Sequence, residues 1–325
     1  MDLSALTLTQ LRYLLAVDEH RSFRGAAESC HVSQPALSMQ IRRLEEILGV
    51  CLFDRGKSPV VTTDVGTRVV TQARLVLREC GRLPDVTQSF DIVSGSYRLG
   101  VIPTLARTLI PRLVATFTKT YPRVHLVIEE LATDLLVRRL LEDTIDGGLA
   151  VTPLGSPAIH ERHLGFERFF VYLSPKHALA KQTEIRQSDL VDYKPWLLSE
   201  EHCFRTQILH LCSIDMRHVP ADGGVRFEAG SLDTLVDIVD TGQGMTLLPE
   251  LVAARLAPER KAQLRPFSPP VPVRRISLIH SRQQERRPLA DAVLAILSDG
   301  LPASLRRRPT DAVIPPILPA HRRRK

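Results

Sequence analysis

The stretch that most narrows what this chain can fold into is Ser22–Gly49, SFRGAAESCHVSQPALSMQIRRLEEILG. It predicts two short helices joined by a tight turn. Ser22 is placed to N-cap the first helix, whose inward face is Phe23, Ala26, Ala27 and Cys30. The two alanines leave room for a crossing helix. His31-Val32 make the turn. Ser33 caps the second helix through its hydroxyl, and Pro35 sits in the first turn, where a missing N–H leaves no bond unmade. Leu37, Ile41, Leu44 and Leu48 recur at helical spacing as a core stripe, and Gly49 suits the C-cap. A second face carries Gln34, Ser38 and Arg42, four residues apart. An amide, a hydroxyl and a guanidinium on one face reach base edges and phosphates, as a DNA recognition helix requires. A helical hairpin with a polar solvent face has the same spacing.

The wording of the stretch separates the two. AAESCHVSQPALSMQIRRLEEILGV closely resembles the winged helix-turn-helix of LysR-type transcription regulators, and within that family its peroxide-sensing members. The S-Q-P-A-L-S-x-Q-I-R-x-L-E run carries the match, and the resemblance continues to about residue 298. It implies an α+β multi-domain protein. A winged helix-turn-helix occupies residues 1–63 and a linker and dimerisation helix with a hinge residues 64–95. A two-lobed α/β, periplasmic-binding-protein-like sensor domain occupies residues 96–298. The resemblance also implies promoter DNA as a partner, contacted by Ser33, Gln34, Pro35, Ser38, Arg42 and Arg55, and RNA polymerase as another. It implies no enzymatic activity and no cofactor.

Length supports more than one domain, since 325 residues exceed the size at which a single core keeps growing. Apolar content of 44% and charged content of 24% suit a soluble protein, and no apolar run is long enough to span a bilayer. The cytoplasm is therefore the expected location. Five scattered cysteines are not a secreted disulfide framework. The net charge of +7 does not point to DNA by itself. Residues 301–325 hold six Arg and one Lys against Asp311, which leaves only +1 for the rest of the chain. Any electrostatic footprint must be local, from Arg42, Arg43, Arg55 and Lys57.

Taken in order, a helix over Leu8–Glu19 should pack Leu11 and Leu15 under the hairpin. Leu52–Asp54 and Val60–Thr62 read as a strand pair around Arg55-Gly56-Lys57-Ser58, a wing with two cations at its tip. Thr63 then caps a long helix in which Val65, Val69, Ala73, Val76, Cys80 and Leu83 form a coiled-coil-like seam. The resemblance implies that this seam makes a homodimer and that sensor lobes pair dimers into a tetramer. Pro84 should end or kink the helix near Leu83. From Ser96 strands alternate with helices, the pattern of a parallel sheet. Strands are expected at Tyr97–Ile102, Val124–Glu130, Gly148–Val151, Phe169–Ser174, Trp196–Ser199, Val225–Phe227, Met245–Pro249 and Arg275–His280. Helices are expected at Ala106–Tyr121, Thr133–Asp143 with Thr133 as cap, Cys203–Leu211, Ser231–Asp240 and Pro288–Leu297. The layout is two lobes with the chain crossing twice between them. Residues 299–325, rich in Pro and Arg, read as a disordered tail.

There is no phosphate loop, dinucleotide fingerprint or nucleophile elbow, and His202, Cys203, His210 and Cys212 match no zinc spacing. The segment His202–Cys212 instead resembles the redox segment of the peroxide-sensing members. By that resemblance Cys203 is the peroxide-reacting thiol and Cys212 resolves it, with a glutaredoxin or thioredoxin as reductant. Thr104 and Thr133 match threonines that polarise peroxide, and Arg275 an arginine near the thiol. Position in a helix N-terminus beside His202 and Arg205 should lower the pKa of Cys203. Two departures from the pattern stand out, Glu201 where glycine is usual and Thr206 in place of an aspartate; an anion at Glu201 should raise the pKa of Cys203 and slow its reaction. A small-metabolite inducer between the lobes is the alternative reading, and a thiol peroxidase the reading from another class.

Overall fold

The computed structural model describes residues 5–81, 83, 93–213, 227–242, 244–281 and 287–316. The chain divides into two compact units, Met1–Ile92 and Val93–Lys325.

In the first unit, α1 (Leu8–His20) opens with a capping box between Thr7 and Gln10. The chain continues as α2 (Phe23–Ser29), α3 (Gln34–Leu48), β1 (Phe53–Asp54), β2 (Val61–Thr62) and α4 (Asp64–Gly81). The caps are those expected: Ser22 accepts from the Gly25 N–H, Ser33 from the Ala36 N–H, and Gly49 ends α3 at φ +69°. His31 takes the turn in left-handed geometry. The core comprises Leu11, Leu14, Val17, Ala26, Ala27, Leu37, Ile41, Leu44, Leu52, Phe53, Val70 and Ala73. Thr63 caps α4 through the Gly66 N–H. Gly66 is required by close approach: a Cβ there would lie 2.2 Å from the Leu52 carbonyl oxygen. Asp18 on α1 accepts a hydrogen bond from Thr62 Oγ1 at 2.8 Å and an ion-paired one from Arg74 on α4 at 2.9 Å. Part of the expected α4 seam is used within the unit. Ala73 is buried against it, as are Gly66 and Val70, whereas Leu83 is exposed. Pro84 and the rest of the expected hinge up to residue 92 lie outside the described residues.

The second unit begins with β3 (Gly95–Val101), α5 (Pro103–Thr120), β4 (Val124–Glu130), α6 (Thr133–Leu141) and β5 (Gly147–Thr152). Strand β3 lies between β4 and β5, parallel to both. A 15-residue strand, β6 (Ile159–Leu173), then leaves this lobe. The second lobe holds β7 (Leu197–Leu198), α7 (Cys203–Leu211), β8 (Glu228–Ala229), α8 (Leu232–Asp240), β9 (Met245–Pro249), α9 (Glu250–Ala253), α10 (Pro258–Lys261) and β10 (Leu264–Pro266). The return is β11 (Val271–Ser281), followed by α11 (Arg287–Gly300) and β12 (Ala312–Val313). The main sheet runs β10-β6-β11-β5-β3-β4, with β9 also on β6 and β12 on β11. The two crossings expected between lobes are thus the antiparallel pair β6 and β11. One core gathers around Leu99, Leu105, Leu136, Val151, Ile276 and Val293, the other around Val171, Ile208, Leu235, Leu247 and Phe267. Of the strand expected at Val225–Phe227, Val225 lies outside the described residues; the observed strand starts at Glu228.

The expected disordered tail is corrected over residues 301–316. Leu301 and Leu305 are buried in the first lobe's core. They cover Gly165, where a Cβ would lie 2.6 Å from Leu301 and 2.8 Å from the Leu305 carbonyl. Val271 donates its N–H to the Asp311 carbonyl, β12 pairs in parallel with β11, and Arg308 lies 6.0 Å over the Phe166 ring. Proline and arginine content concealed three apolar anchors, Leu301, Leu305 and Ala312. Leu305→Ala should therefore cost about 2–5 kcal/mol, as for other buried leucines, read as a shift in the denaturant midpoint; a solvated tail would show no shift.

Candidate functional site

Two sites emerge, one in each unit. On the first unit, α3 presents Ser33, Gln34, Pro35 and Arg42 exposed and Ser38 half-buried. The wing folds back onto this face: Arg55 ion-pairs Glu45 at 2.8 Å, donates to Ser38 Oγ at 3.4 Å and lies 4.9 Å over the Phe23 ring. Arg55 is thus held by α3 and Phe23, so the wing and the helix present one joined surface. Its other tip cation, Lys57, reaches Asp54 at 3.6 Å.

On the second unit, three helix starts converge on Cys203. A narrow crevice, too tight to hold a water molecule, is lined by Ile102, Pro103, Thr104, Ala132, Thr133, Glu201, His202, Cys203 and Phe204. These are the N-terminal turns of α5, α6 and α7, and none of the three carries a side-chain cap. The positive ends of three helix dipoles make the crevice favourable to negative charge.

Thr104 and Thr133 both line it, as expected, but Thr133 does not cap its helix. It is the first residue of α6, after Ala132, and its hydroxyl hydrogen-bonds Cys203. The arginine that acts on Cys203 is Arg274, not Arg275. Successive side chains on a strand point to opposite faces, so a one-residue step changes the partner set completely. Arg275 faces away, donating to Thr152 at 2.8 Å and pairing with Glu161. Arg274 is fully buried, donates Nη1–H to Thr104 Oγ1 at 2.9 Å, and lies 5.4 Å over the Phe204 ring. Arg205 also leaves the thiol: it donates to the Leu198 carbonyl at 2.8 Å and pairs with Glu228 at 3.3 Å, tying α7 to β7 and β8.

The expected lowering of the Cys203 pKa is reversed. Burial pushes it up, outweighing the Thr133 bond, the Arg274 cation and the backbone N–H groups of Cys203 and Phe204, all of which favour thiolate. His202 supplies little charge to help, because its own burial lowers its pKa and favours the neutral ring, against the opposing pull of Glu201 and Glu130. Sequence reasoning also missed Gln207. It lies four residues after Cys203, fully buried, and neither its Oε1 nor its Nε2 has a hydrogen-bond partner among the described residues. The i, i+4 spacing was the available signal.

Cys212 is the C-cap of α7 and fully buried; burial pushes its pKa up to about 12. The two cysteines belong to different cores. Cys203 packs against the first lobe, while Cys212 sits within the second. All five cysteines are free thiols. A larger cavity, about 1310 Å³ of empty space open to solvent, adjoins the crevice through Thr104 and His202, with Arg107, Glu130 and Asp233 among its polar lining. Among the described residues no helix is long and apolar enough to cross a membrane.

Residues 8–67 match the model for "Bacterial regulatory helix-turn-helix protein, lysR family", and residues 91–302 that for "LysR substrate binding domain". A hydrogen peroxide-inducible genes activator of Pectobacterium carotovorum subsp. carotovorum is 36% identical over 276 residues, 85% of this chain and 90% of that one. The DNA-binding transcriptional dual regulator OxyR of Escherichia coli strain K12 is 36% identical over 279 residues, 85% and 89% respectively. A full-length Pseudomonas aeruginosa OxyR with a cysteine replaced by aspartate superposes with a TM-score of 0.70 at 31% identity, covering 90% of this chain and 98% of that one. One matched segment covers the helix-turn-helix with its wing and the other both lobes, so this chain belongs to the LysR family of bacterial helix-turn-helix regulators.

Proposed function

We propose that the protein is a transcription regulator that senses hydrogen peroxide through a reversible Cys203–Cys212 disulfide and controls oxidative-stress defence genes. The observation that carries the reading is the crevice at Cys203, where two hydroxyls, a buried guanidinium and three uncapped helix starts surround one thiol. The names of the relatives, which are hydrogen peroxide-inducible genes activators and OxyR proteins, support it.

The chemistry balances as follows. The Cys203 thiolate attacks one peroxide oxygen; an S–O bond forms, the O–O bond breaks, and hydroxide leaves and is protonated to water. Sulfur loses two electrons and becomes sulfenic acid. The Cys212 thiolate then displaces hydroxide from that sulfur, releasing a second water and closing the disulfide. A dithiol reductant of the glutaredoxin or thioredoxin class returns two electrons and two protons. The half-buried thiol with its raised pKa is a resting state: opening the crevice to admit peroxide also admits water, which weakens the main force holding the proton on sulfur. Gln207, one helical turn after Cys203 with donor and acceptor both open among the described residues, is the side chain we propose to hold the hydroxyl of the sulfenic acid. The test is a titration of free thiols against peroxide in parallel with promoter binding. Two thiols lost per chain, mapped to Cys203 and Cys212, are expected; a promoter response with both thiols free would overturn the mechanism.

The output is DNA binding by a homodimer joined through α4, paired into a tetramer, with RNA polymerase as the partner at the promoter. Arg42 is exposed on the recognition face. Arg42→Ala should weaken operator binding without unfolding and reduce the salt slope by about 1, the value for one lost phosphate contact. An unchanged slope removes Arg42 from the interface. A second reading is favoured by the large cavity beside His202: a small metabolite bound between the lobes. Induction that survives Cys203→Ser would select it.

A further inference from the structure

The strand crossing between the lobes holds the guanidinium of the Cys203 site in a buried pair whose carboxyl partner the redox chemistry above does not use. Glu167 on β6 and Arg274 on β11 are register partners, and both are fully buried. Glu167 Oε2 accepts the Arg274 Nε–H at 2.7 Å, and its Oε1 accepts the Leu251 N–H at the start of α9 at 2.8 Å. With Nε held there, Arg274 directs Nη1 at the Thr104 hydroxyl and Nη2 at the Thr104 carbonyl, at 2.9 and 3.5 Å. Its guanidinium lies over Phe204, the residue after Cys203, and Phe204 stacks on Phe169 of β6 at 5.5 Å. A guanidinium has a rigid planar fork, so fixing one edge aims the other.

We propose that Glu167 is a positioning residue for the Cys203 thiol, acting through Arg274: it fixes the orientation of the cation and of Thr104 at the crevice. This rests on reading Cys203 as the peroxide-reactive thiol. Glu167 touches neither the thiol nor the crevice, so it is not a catalytic residue. It works from the lobe crossing, where both its oxygens accept from donors that a neutral amide cannot satisfy together. Glutamine at this position must turn its NH2 group toward either Arg274 Nε–H or the Leu251 N–H, donor against donor.

The test measures two rates on the full-length protein at one pH: oxidation of Cys203 by hydrogen peroxide and its alkylation by iodoacetamide, both followed by peptide mass mapping. Glu167→Gln should slow the peroxide reaction by about tenfold or more, as small misplacements at reacting centres do. It should slow alkylation much less, since alkylation does not need Thr104 and Arg274 aligned on a peroxide. A purely structural role would move both rates together. Arg274→Lys, which cannot form the fork, should show the same split, and adding Glu167→Gln to it should change the ratio less than threefold. A folded Glu167→Gln protein with an unchanged rate ratio, beside a slowed Arg274→Lys, overturns the proposal. Should the glutamine variant fail to fold, Glu167→Asp keeps the charge but retracts it by one methylene; a wild-type ratio there overturns it equally. Failure of the redox reading is seen separately, as a promoter response retained in Cys203→Ser.

Discussion

Cys203→Ser should abolish the peroxide response of the promoter outright, while Cys212→Ser should leave oxidation at sulfenic acid and give a weaker, less durable output. The geometry makes these outcomes different in kind. Cys203 is the first residue of α7 and Cys212 its C-cap. Nine residues at 1.5 Å rise separate their α-carbons by about 13 Å along the axis, whereas a disulfide tolerates roughly 7 Å at most. The bond cannot close on the intact helix. Closing it means withdrawing Phe204, Ile208 and Leu211 from the second lobe's core, where they are buried, and releasing Arg205 from the Leu198 carbonyl and Glu228. A local two-electron oxidation is thereby converted into loss of a helix. Hydrogen exchange should show the amides of residues 207–211 protected in the reduced protein and exposed after peroxide in wild type alone. Equal protection in the oxidised wild type would mean that the two sulfurs do not join.

The second large effect is on stability. Arg274→Met should cost about 3–5 kcal/mol, because Glu167, whose pKa burial already pushes up, is left fully buried with only the Leu251 N–H as donor and must hold an unpaired charge or take up a proton. The double variant Glu167→Leu with Arg274→Met should recover most of that loss, since an apolar pair of similar volume often replaces a buried ion pair without penalty. Trp196, the only tryptophan, packs against the second lobe's core and reports the transition by its fluorescence. If the double variant is as unstable as Arg274→Met alone, the loss comes from the contacts with Thr104 and Phe204 and not from the stranded carboxylate. Restored stability with a still-impaired thiol would separate what the pair does for folding from what it does for chemistry.

The helix-turn-helix was legible almost residue by residue, because its signals are local: Ser22, Ser33, Pro35 and Gly49 each act within one turn of their own position. The two-lobed plan was legible from the alternation of strands and helices, and the limits of β9 and α7 were read to the residue. What failed depended on which way a side chain points after the chain has crossed between lobes. Arg274 and Arg275 are indistinguishable in sequence, and only the pleat of β11 decides between them. Thr133 fits the pattern of a helix cap, yet it stands one residue inside α6 and serves a cysteine 70 positions away. The pKa of Cys203 was misjudged for a related reason: helix-terminus and neighbouring-charge effects are visible in the sequence, whereas the burial that outweighs them exists only once three elements meet. The tail was misread because composition averages over residues 301–316 and hides the few that anchor.

The close seat of Gly66 on the Leu52 carbonyl has a mechanical consequence. The helix cannot rock against the base of the wing without collision, and Asp18, gripping Thr62 with one oxygen and Arg74 with the other, stops it from sliding. Wing, first helix and long helix therefore turn as a single lever. A twist applied to the far end of α4 is delivered to the Arg55 tip, so in the dimer proposed above a small change in how two such helices sit together would change the spacing of the grooves that the two heads reach.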